Sequence, residues 1–436
     1  MVVYSLKRTA CSLQPLYCGL SVIRGLMLTF HLSRLTFLPT LVQTFYPVKY
    51  SLFLLPLAII GCTTAKHAKQ TPSAVDTAIQ EVKQQYAPDS RTALFAVTAN
   101  GNVLTGATNL PAAKAALWQR ISSLNQPFTD SIEVLPAVSL NSKHFAAVTI
   151  SVANLRTQPR HPAELATQAL FGTPLKVWKK ERGWYLVQTP DQYLAYVDAS
   201  AITLLDSAQY QQWKQQPKLV YTEPYGFAYA AASTTGATVS DLVYGSLLDV
   251  TGEQNGFYEV SFPDGRLAFI PKDKAQPYAA WAASRQPTPA NMVETAKRMM
   301  GLPYLWGGTS TKGVDCSGFT KTVYLMNGLV LARDASQQVH MGVEIDTKKG
   351  WHNLQPGDLL FFGAPAKDGR PERVVHVGMW IGGNDEFIHS AGLVRINSLN
   401  PQAPNYDESE HKRFLRAKRI APQAALKDLR AASLFE

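Results

Sequence analysis

The chain has 436 residues and carries 42 Lys and Arg against 32 Asp and Glu, a formal charge of +10. With 46% hydrophobic and 17% charged residues it can bury the cores of roughly three domains, which excludes a disordered chain. The basic excess is not gathered into a block with interleaved aromatics, so nucleic acid is not an expected partner and a solvated surface explains the charge.

Residues 1–61 hold Lys7, Arg8, Arg24, Arg34 and Lys49 and no acid. The apolar run Ser51 to Ile60 is too short to span a bilayer comfortably and suits the core of a signal peptide. It ends in Ile59-Ile60-Gly61-Cys62, which resembles the lipobox of bacterial lipoproteins. That resemblance implies cleavage before Cys62, a lipid on its thiol, and an exported chain anchored in a membrane of the cell envelope, facing the periplasm. No Met lies between Met27 and Cys62, so the leader is unusually long, as a misassigned upstream start would make it. An uncleaved anchor or a chance apolar stretch is the rival. Loss of 1–61 lowers the formal charge from +10 to +5 and removes Cys11 and Cys18. Cys62 and Cys316 remain, one for lipid and one for chemistry, with no intrachain disulfide expected.

Residues 62–74 are small and polar, a tether. Over 75–140, Val75, Ile79 and Val82 form one helix face. Leu94 to Val97 and Val103-Leu104 read as strands about Ala99-Asn100-Gly101-Asn102, and Pro111 to Leu124 as a second helix. This αββα unit shows no chemical constellation. From 141 the chain changes to short strands that repeat at an offset of 73: Gly183 to Val197 aligns with Gly256 to Ile270, each with paired aromatics and a Pro-Asp turn. Two small β-barrels are expected, at 141–210 and 211–276, then a Pro-rich linker at 277–289.

In the last stretch, 290–425, Thr288-Pro289 opens a helix lined by Met292, Ala296 and Met299. A second helix carries Phe319, Val323 and Met326 on one side and stops at Asn327-Gly328, which puts Asp315 at its N-cap and Cys316 just inside. A thiol there faces unpaired backbone N–H groups and the positive end of the helix dipole, which favour thiolate. The preceding pair Gly307-Gly308 allows backbone to approach a ligand closely. A lone cysteine is more commonly structural, so a base has to be found.

His376 and His389 lie in two short β-prone runs separated by Gly382-Gly383-Asn384-Asp385. A turn centred between Gly382 and Gly383 puts the imidazoles directly opposite on one face, with Cβ atoms roughly 5 Å apart; a turn one residue later would spoil that pairing. His376 could then take the thiol proton while His389 orients it. Singly, each histidine is equally a satisfied strand residue. A Cys-His-His zinc site is the other rival, but the short ligand spacings typical of zinc are missing and no metal or cofactor is expected. Leu359 to Phe362 is a buried-strand run beside the His376 strand, and Lys412 to Arg419 closes the sheet, most simply as a solvated edge.

Tyr304-Leu305-Trp306-Gly307-Gly308, Val314-Asp315-Cys316-Ser317-Gly318-Phe319, Arg333-Asp334-Ala335-Ser336-Gln337-Gln338, Pro356-Gly357-Asp358, His376-Val377-Gly378 and Phe387-Ile388-His389-Ser390 resemble, in order and spacing, the NlpC-type cell-wall cysteine peptidases. The resemblance implies a papain-like α+β catalytic domain that cuts peptidoglycan stem peptides or muropeptides, usually between γ-D-glutamate and a diamino acid. Carried over by position, Cys316 is the nucleophile, His376 the general base, His389 the polar third member and Tyr304 a hydroxyl near the oxyanion. Trp306, Asp315, Ser317, Arg333 and Ser336 line the substrate groove. For Asp315, N-cap and substrate roles compete for the same oxygens. The two barrels resemble bacterial SH3-like domains. In the first, Glu164 and Tyr193 match positions that hold the free amine of an N-terminal L-Ala, where a buried carboxylate rewards a free N-terminus. Equally, Glu164 could be an exposed loop charge and Tyr193 a core aromatic.

The expected architecture is therefore multidomain: a small N-terminal α/β domain, two SH3-like barrels and a papain-like catalytic domain, acting as a monomer. Its rivals are a non-catalytic wall-binding lipoprotein and another thiol acyl transfer, amidase or transpeptidase, on the same fold.

Overall fold

The computed structural model describes residues 73–124, 126–420 and 426–435. The leader, Cys62 and most of the tether lie outside them. Among the described residues no helix is long and apolar enough to cross a membrane.

The N-terminal unit begins with α1 (Ala74–Tyr86), opened by a reciprocal capping box between Ser73 and Asp76. Strands β1 (Phe95–Asn100) and β2 (Val103–Thr108) form the expected hairpin, and α2 (Pro111–Ser122) follows. A strand not foreseen, β3 (Thr129–Val134), then adds in parallel to β2, making the unit αββαβ. Only Ile132 of β3 is buried, so the strand carries almost no hydrophobic period to betray it. Ile79, Val82, Leu104, Leu117 and Ile121 make the core between the helices and this sheet.

Two seven-stranded sheets come next. The first contains β4 (Phe145–Val148), β5 (Val152–Arg156), β6 (Leu165–Leu170), β7 (Pro174–Glu181), β8 (Trp184–Gln188), β9 (Leu194–Asp198) and β10 (Ile202–Leu205). The second contains β11 (Lys218–Tyr221), β12 (Tyr225–Tyr229), β13 (Thr238–Val243), β14 (Leu247–Gln254), β15 (Phe257–Ser261), β16 (Leu267–Pro271) and β17 (Ala275–Pro277). Strand order is β10-β4-β7-β8-β9-β5-β6 in one and β17-β11-β14-β15-β16-β12-β13 in the other, the same path strand for strand. The offset of 73 seen in one hairpin holds for the start of every strand. It holds for the β-bulges too, which fall between Val177 and Lys179 and between Val250 and Gly252.

The stretch expected to be a linker, 277–289, is partly helical: Tyr278–Ala283 buries Trp281 and Ala282 in an apolar cluster with Trp213 and Phe435. Aromatic packing ordered a segment that its prolines alone marked as a connection. In the C-terminal domain the helices Pro289–Lys297 and Cys316–Met326 pack together on one face of a six-stranded antiparallel sheet. Its order is Val343–Ile345, Phe414–Arg419, Leu359–Ala364, Arg373–Gly382, Glu386–Ala391, Leu393–Ser398. Phe414–Arg419 is therefore an inner strand and not the solvated edge expected, because the short strand Val343–Ile345 covers its free side.

Candidate active site

Asp315 caps the Cys316 helix: its Oδ1 accepts from Gly318 N at 2.7 Å. Oδ2 accepts from Gly307 N at 2.9 Å and from Arg333 Nη2 at 2.6 Å, and Arg333 Nη1 reaches both Asp315 Oδ1 and Ser317 Oγ. Arg333 is 1% exposed and also donates through Nε to Thr167 of β6. Asp315, Ser317 and Arg333 thus hold one another and tie the head of the helix to the first sheet. The glycine pair serves that docking as well. A Cβ on Gly307 would lie 2.3 Å from the Leu165 carbonyl oxygen, and one on Gly308 2.3 Å from that of Gly313, so both glycines permit a close approach to protein backbone, and Gly307 also lines the groove beside Cys316.

The histidines meet, but not in the expected register. Met379 pairs with Ile388 and Trp380 with Phe387, so the turn sits one residue later and His389 faces Gly378. His376 is a diagonal neighbour on the same face, and its Nε2 lies 2.8 Å from His389 Nδ1. His389 Nε2 in turn lies 3.0 Å from Asn397 Oδ1 on the next strand, itself a diagonal neighbour, since Asn397 pairs with Phe387. Asn397 Nδ2 donates to the Asn405 carbonyl at 3.2 Å, which fixes the amide's orientation. The direction of every bond follows. Asn397 Oδ1 can only accept, so His389 carries its proton on Nε2 and accepts at Nδ1, and His376 donates from Nε2. That leaves an unshared lone pair on His376 Nδ1. Asn397 has no signature in a single sequence beyond lying two residues past the point opposite His389.

The Cys316 helix packs over the His376 and His389 strands, and Ser390 Oγ pins them to the Val314 carbonyl at 2.8 Å. The Val377 N–H, one residue past His376, lies against the thiol. Burial pushes the Cys316 thiol up to about 12, with the Asp315 carboxylate adding to the rise; Val377 N–H, Arg333 and Ser317 N–H act the other way. Desolvation by burial thus works against the preference for thiolate expected at the helix terminus. Burial also pushes His376 down to about 4, with Arg413 adding, and His389 down to about 4, with His376 adding. Both directions favour a neutral thiol and neutral imidazoles. Burial, then Cys316 and Asp315, push the Tyr304 hydroxyl up to about 12, which keeps it a donor.

One carboxylate was not anticipated. Glu410 is buried, with Oε1 3.8 Å from His376 Nε2, and together with both imidazoles it could in principle ligate a metal. The facing nitrogens are, however, spent on their mutual bond, and both Glu410 oxygens accept from Arg413.

A groove of about 450 Å³ runs past Cys316 and is lined by Ser317, Arg333, Ser336 and Trp306 from the catalytic domain and by Glu164 and Tyr193 from the first sheet. Trp306 is 61% exposed, and its Nε1 donates to Glu164 Oε1 at 2.7 Å. Glu164 is exposed and not the buried carboxylate expected. Tyr193 is buried yet not merely core: its hydroxyl donates to Asp334 Oδ2 at 3.1 Å. Both assigned barrel residues thus reach the groove that holds the thiol.

Residues 301–413 match the NlpC/P60 family and residues 155–202 the bacterial dipeptidyl-peptidase Sh3 domain. The chain is 31% identical to a gamma-D-glutamyl-L-lysine dipeptidyl-peptidase of Bacillus cereus, over 56% of this chain and 73% of that protein. It is 35% identical to the probable endopeptidase NlpC of Escherichia coli, over 31% of this chain and 84% of that one. A solved NlpC/P60 family protein from Bacillus cereus superimposes with a TM-score of 0.53 at 27% identity, covering 64% of this chain and 100% of that structure. A cysteine at a helix N-terminus, two hydrogen-bonded imidazoles and these relatives agree: the chain belongs to the NlpC/P60 family of cysteine peptidases.

Proposed function

We propose that the protein hydrolyses peptidoglycan stem peptides at the bond between γ-D-glutamate and the diamino acid. Cys316 is the nucleophile, His376 the general base and His389 its orienting partner. The observation that carries this reading is the one-way hydrogen-bond chain from Asn397 through His389, which leaves a single lone pair on His376 Nδ1. As the sulfur adds to the γ-carbonyl carbon, its proton passes to His376 and the carbonyl electrons collect on oxygen, where Tyr304 and backbone N–H near Cys316 stabilise them. Collapse breaks the C–N bond, and His376 returns the proton to the leaving amine. Water, deprotonated by His376, then cleaves the thioester and restores the thiol.

We propose further that the substrate carries a free N-terminal L-Ala. Glu164 and Tyr193 sit on the groove wall with Cys316, and an ammonium beside the Glu164 carboxylate gains a charge-assisted bond that an acylated amine cannot make. Asp315, Ser317 and Arg333 shape this groove chiefly by holding one another. The sequence before Cys62 supports export and a lipid anchor, which palmitate labelling of wild type and Cys62→Ser would test.

Digestion of L-Ala-γ-D-Glu-diaminopimelate, its N-acylated form and intact muropeptides by wild type and Cys316→Ala tests the whole reading. Free tripeptide should be cut to L-Ala-γ-D-Glu and diaminopimelate by wild type alone. Equal rates on the acylated form refute the amine requirement, and cleavage by Cys316→Ala removes the nucleophile.

A further inference from the structure

The two repeats part company at their Pro-Asp turns. The backbone there is the same in both: Thr189 N donates to the Tyr193 carbonyl and Gln192 N to that of Thr189, as Phe262 N does to Arg266 and Gly265 N to Phe262. Gln192 and Gly265 are both left-handed, at φ 67° and 89°. In the second copy the turn supplies its own counter-ion, since Arg266 Nε donates to Asp264 Oδ2 at 2.8 Å and both residues are exposed. In the first copy Tyr193 stands at the position of Arg266, so Asp191 has no cation in its own turn.

The cation comes instead from the Cys316 helix. Lys321 Nζ lies 3.1 Å from Asp191 Oδ2, and the two side chains are 16% and 4% exposed. Asp191 Oδ1 accepts from Thr189 Oγ1 at 2.7 Å. Among the described residues Oδ2 has no hydrogen-bond partner, so the ammonium beside it is what compensates its charge. Two residues on, Tyr193 lines the groove with Cys316, and its hydroxyl shares Asp334 Oδ2 with Arg91 Nη1, at 3.1 and 2.8 Å. The hydroxyl donates that bond, so its own lone pairs remain to accept from an ammonium. From the far side the Arg91 carbonyl accepts from Leu194 N at 2.7 Å.

Breaking a buried ion pair from one side is costly, because the surviving charge must regain water. Without Lys321, Asp191 is rehydrated only if the turn swings off the helix, and Tyr193 moves with it. A displacement of about 1 Å is enough to lose a positioned contact. We propose that Asp191 and Lys321 are positioning residues for substrate binding: their pair clamps the turn to the Cys316 helix and so fixes the Tyr193 hydroxyl where the free amine of the substrate arrives. This rests on the free-amine reading above.

The test uses the full chain as wild type, Lys321→Met, Lys321→Arg, Asp191→Asn, Tyr193→Phe and the double variant Lys321→Met/Tyr193→Phe. Each is assayed on L-Ala-γ-D-Glu-diaminopimelate and its N-acylated form, beside a thermal melt. Lys321→Met should raise KM for the free tripeptide about tenfold, leave kcat within about threefold, and narrow the preference for the free amine about tenfold, the size of one charge-assisted hydrogen bond. Lys321→Arg should restore both quantities to within about threefold of wild type. Because Lys321 acts through Tyr193, adding Lys321→Met to Tyr193→Phe should change KM by less than about twofold. Should Lys321→Met fail to fold, Asp191→Asn reads the same KM and preference. A lowered melting temperature with the wild-type preference, or effects of Lys321→Met and Tyr193→Phe that multiply in full, makes the pair merely structural and overturns the proposal while leaving the free-amine reading intact. Wild type that cuts both substrates equally overturns that reading and this proposal together, and wild type that cuts neither overturns the γ-glutamyl reading as well.

Discussion

Gly378 stands opposite His389 across the hairpin, and His376 reaches its partner through the space that a side chain at 378 would fill. A Cβ there would lie 2.9 Å from Phe387 Cδ2 and 3.3 Å from His389 Cβ. Both are buried groups that cannot swing away. Gly378→Ala should therefore push the His389 ring off its line to His376. We expect kcat to fall at least about tenfold and stability by roughly 1–3 kcal/mol, the usual penalty of overpacking a core. Kinetics beside urea denaturation check this, and full activity in a stable variant would contradict it.

Asn397 supplies the acceptor that makes the relay directional. In Asn397→Ala the Nε2–H of His389 loses its partner in a buried site, and the alternative tautomer would take the acceptor away from His376. An unsatisfied buried donor costs roughly 1–3 kcal/mol, so kcat should drop about 10- to 100-fold with KM little changed. A variant that alters KM alone would place Asn397 in substrate binding instead.

The acid limb of activity should lie near pH 4 and not near the ordinary imidazole value of 6.5, since burial lowers His376 and His389 to about 4. Stability carries the same sign. Between about 6.5 and 4 the unfolded chain binds protons that the folded chain refuses. The contribution of the neutral pair is thus whole above about 6.5, is lost as pH falls toward 4, and loses nothing more below that. For one imidazole the loss is roughly 3 kcal/mol. Melting curves from pH 7 to 4 and a pH–kcat/KM profile measure the two effects, and an activity midpoint near 6.5 would refute both.

Asp315 and Arg333 form a buried pair, 6% and 1% exposed, joined at 2.6 Å. Removing one partner strands the other charge away from water. Asp315→Ala also deprives the Cys316 helix of its cap. Together these should cost roughly 4 kcal/mol or more, whereas Thr167→Ala, which deletes one neutral acceptor from Arg333, should cost about 1 kcal/mol. Chemical denaturation of the two variants provides the comparison.

Much of this protein is legible along the chain because its signals are local. The apolar steps of Phe319, Val323 and Met326, with Asp315 before them and Asn327-Gly328 after, define the catalytic helix to the residue. The repeat at 73, read from one hairpin, anticipates two copies of one small β unit, and the structure extends it to every strand start of the two sheets. What needed three dimensions is whatever depends on neighbours distant in the chain. The turn after the His376 strand holds three residues, Gly383 to Asp385, because a β-bulge falls between Trp380 and Gly382, and no alternation pattern reveals a bulge. Burial, which comes from the whole domain, is what pushes the Cys316 thiol up, and its place in a helix does not reveal it. Arg91 belongs to the groove only because the turn after α1 lies wedged between Leu194 and Gln337. A side chain's type and period follow from residues a few positions away, but its partner and its surrounding dielectric are properties of the packed chain.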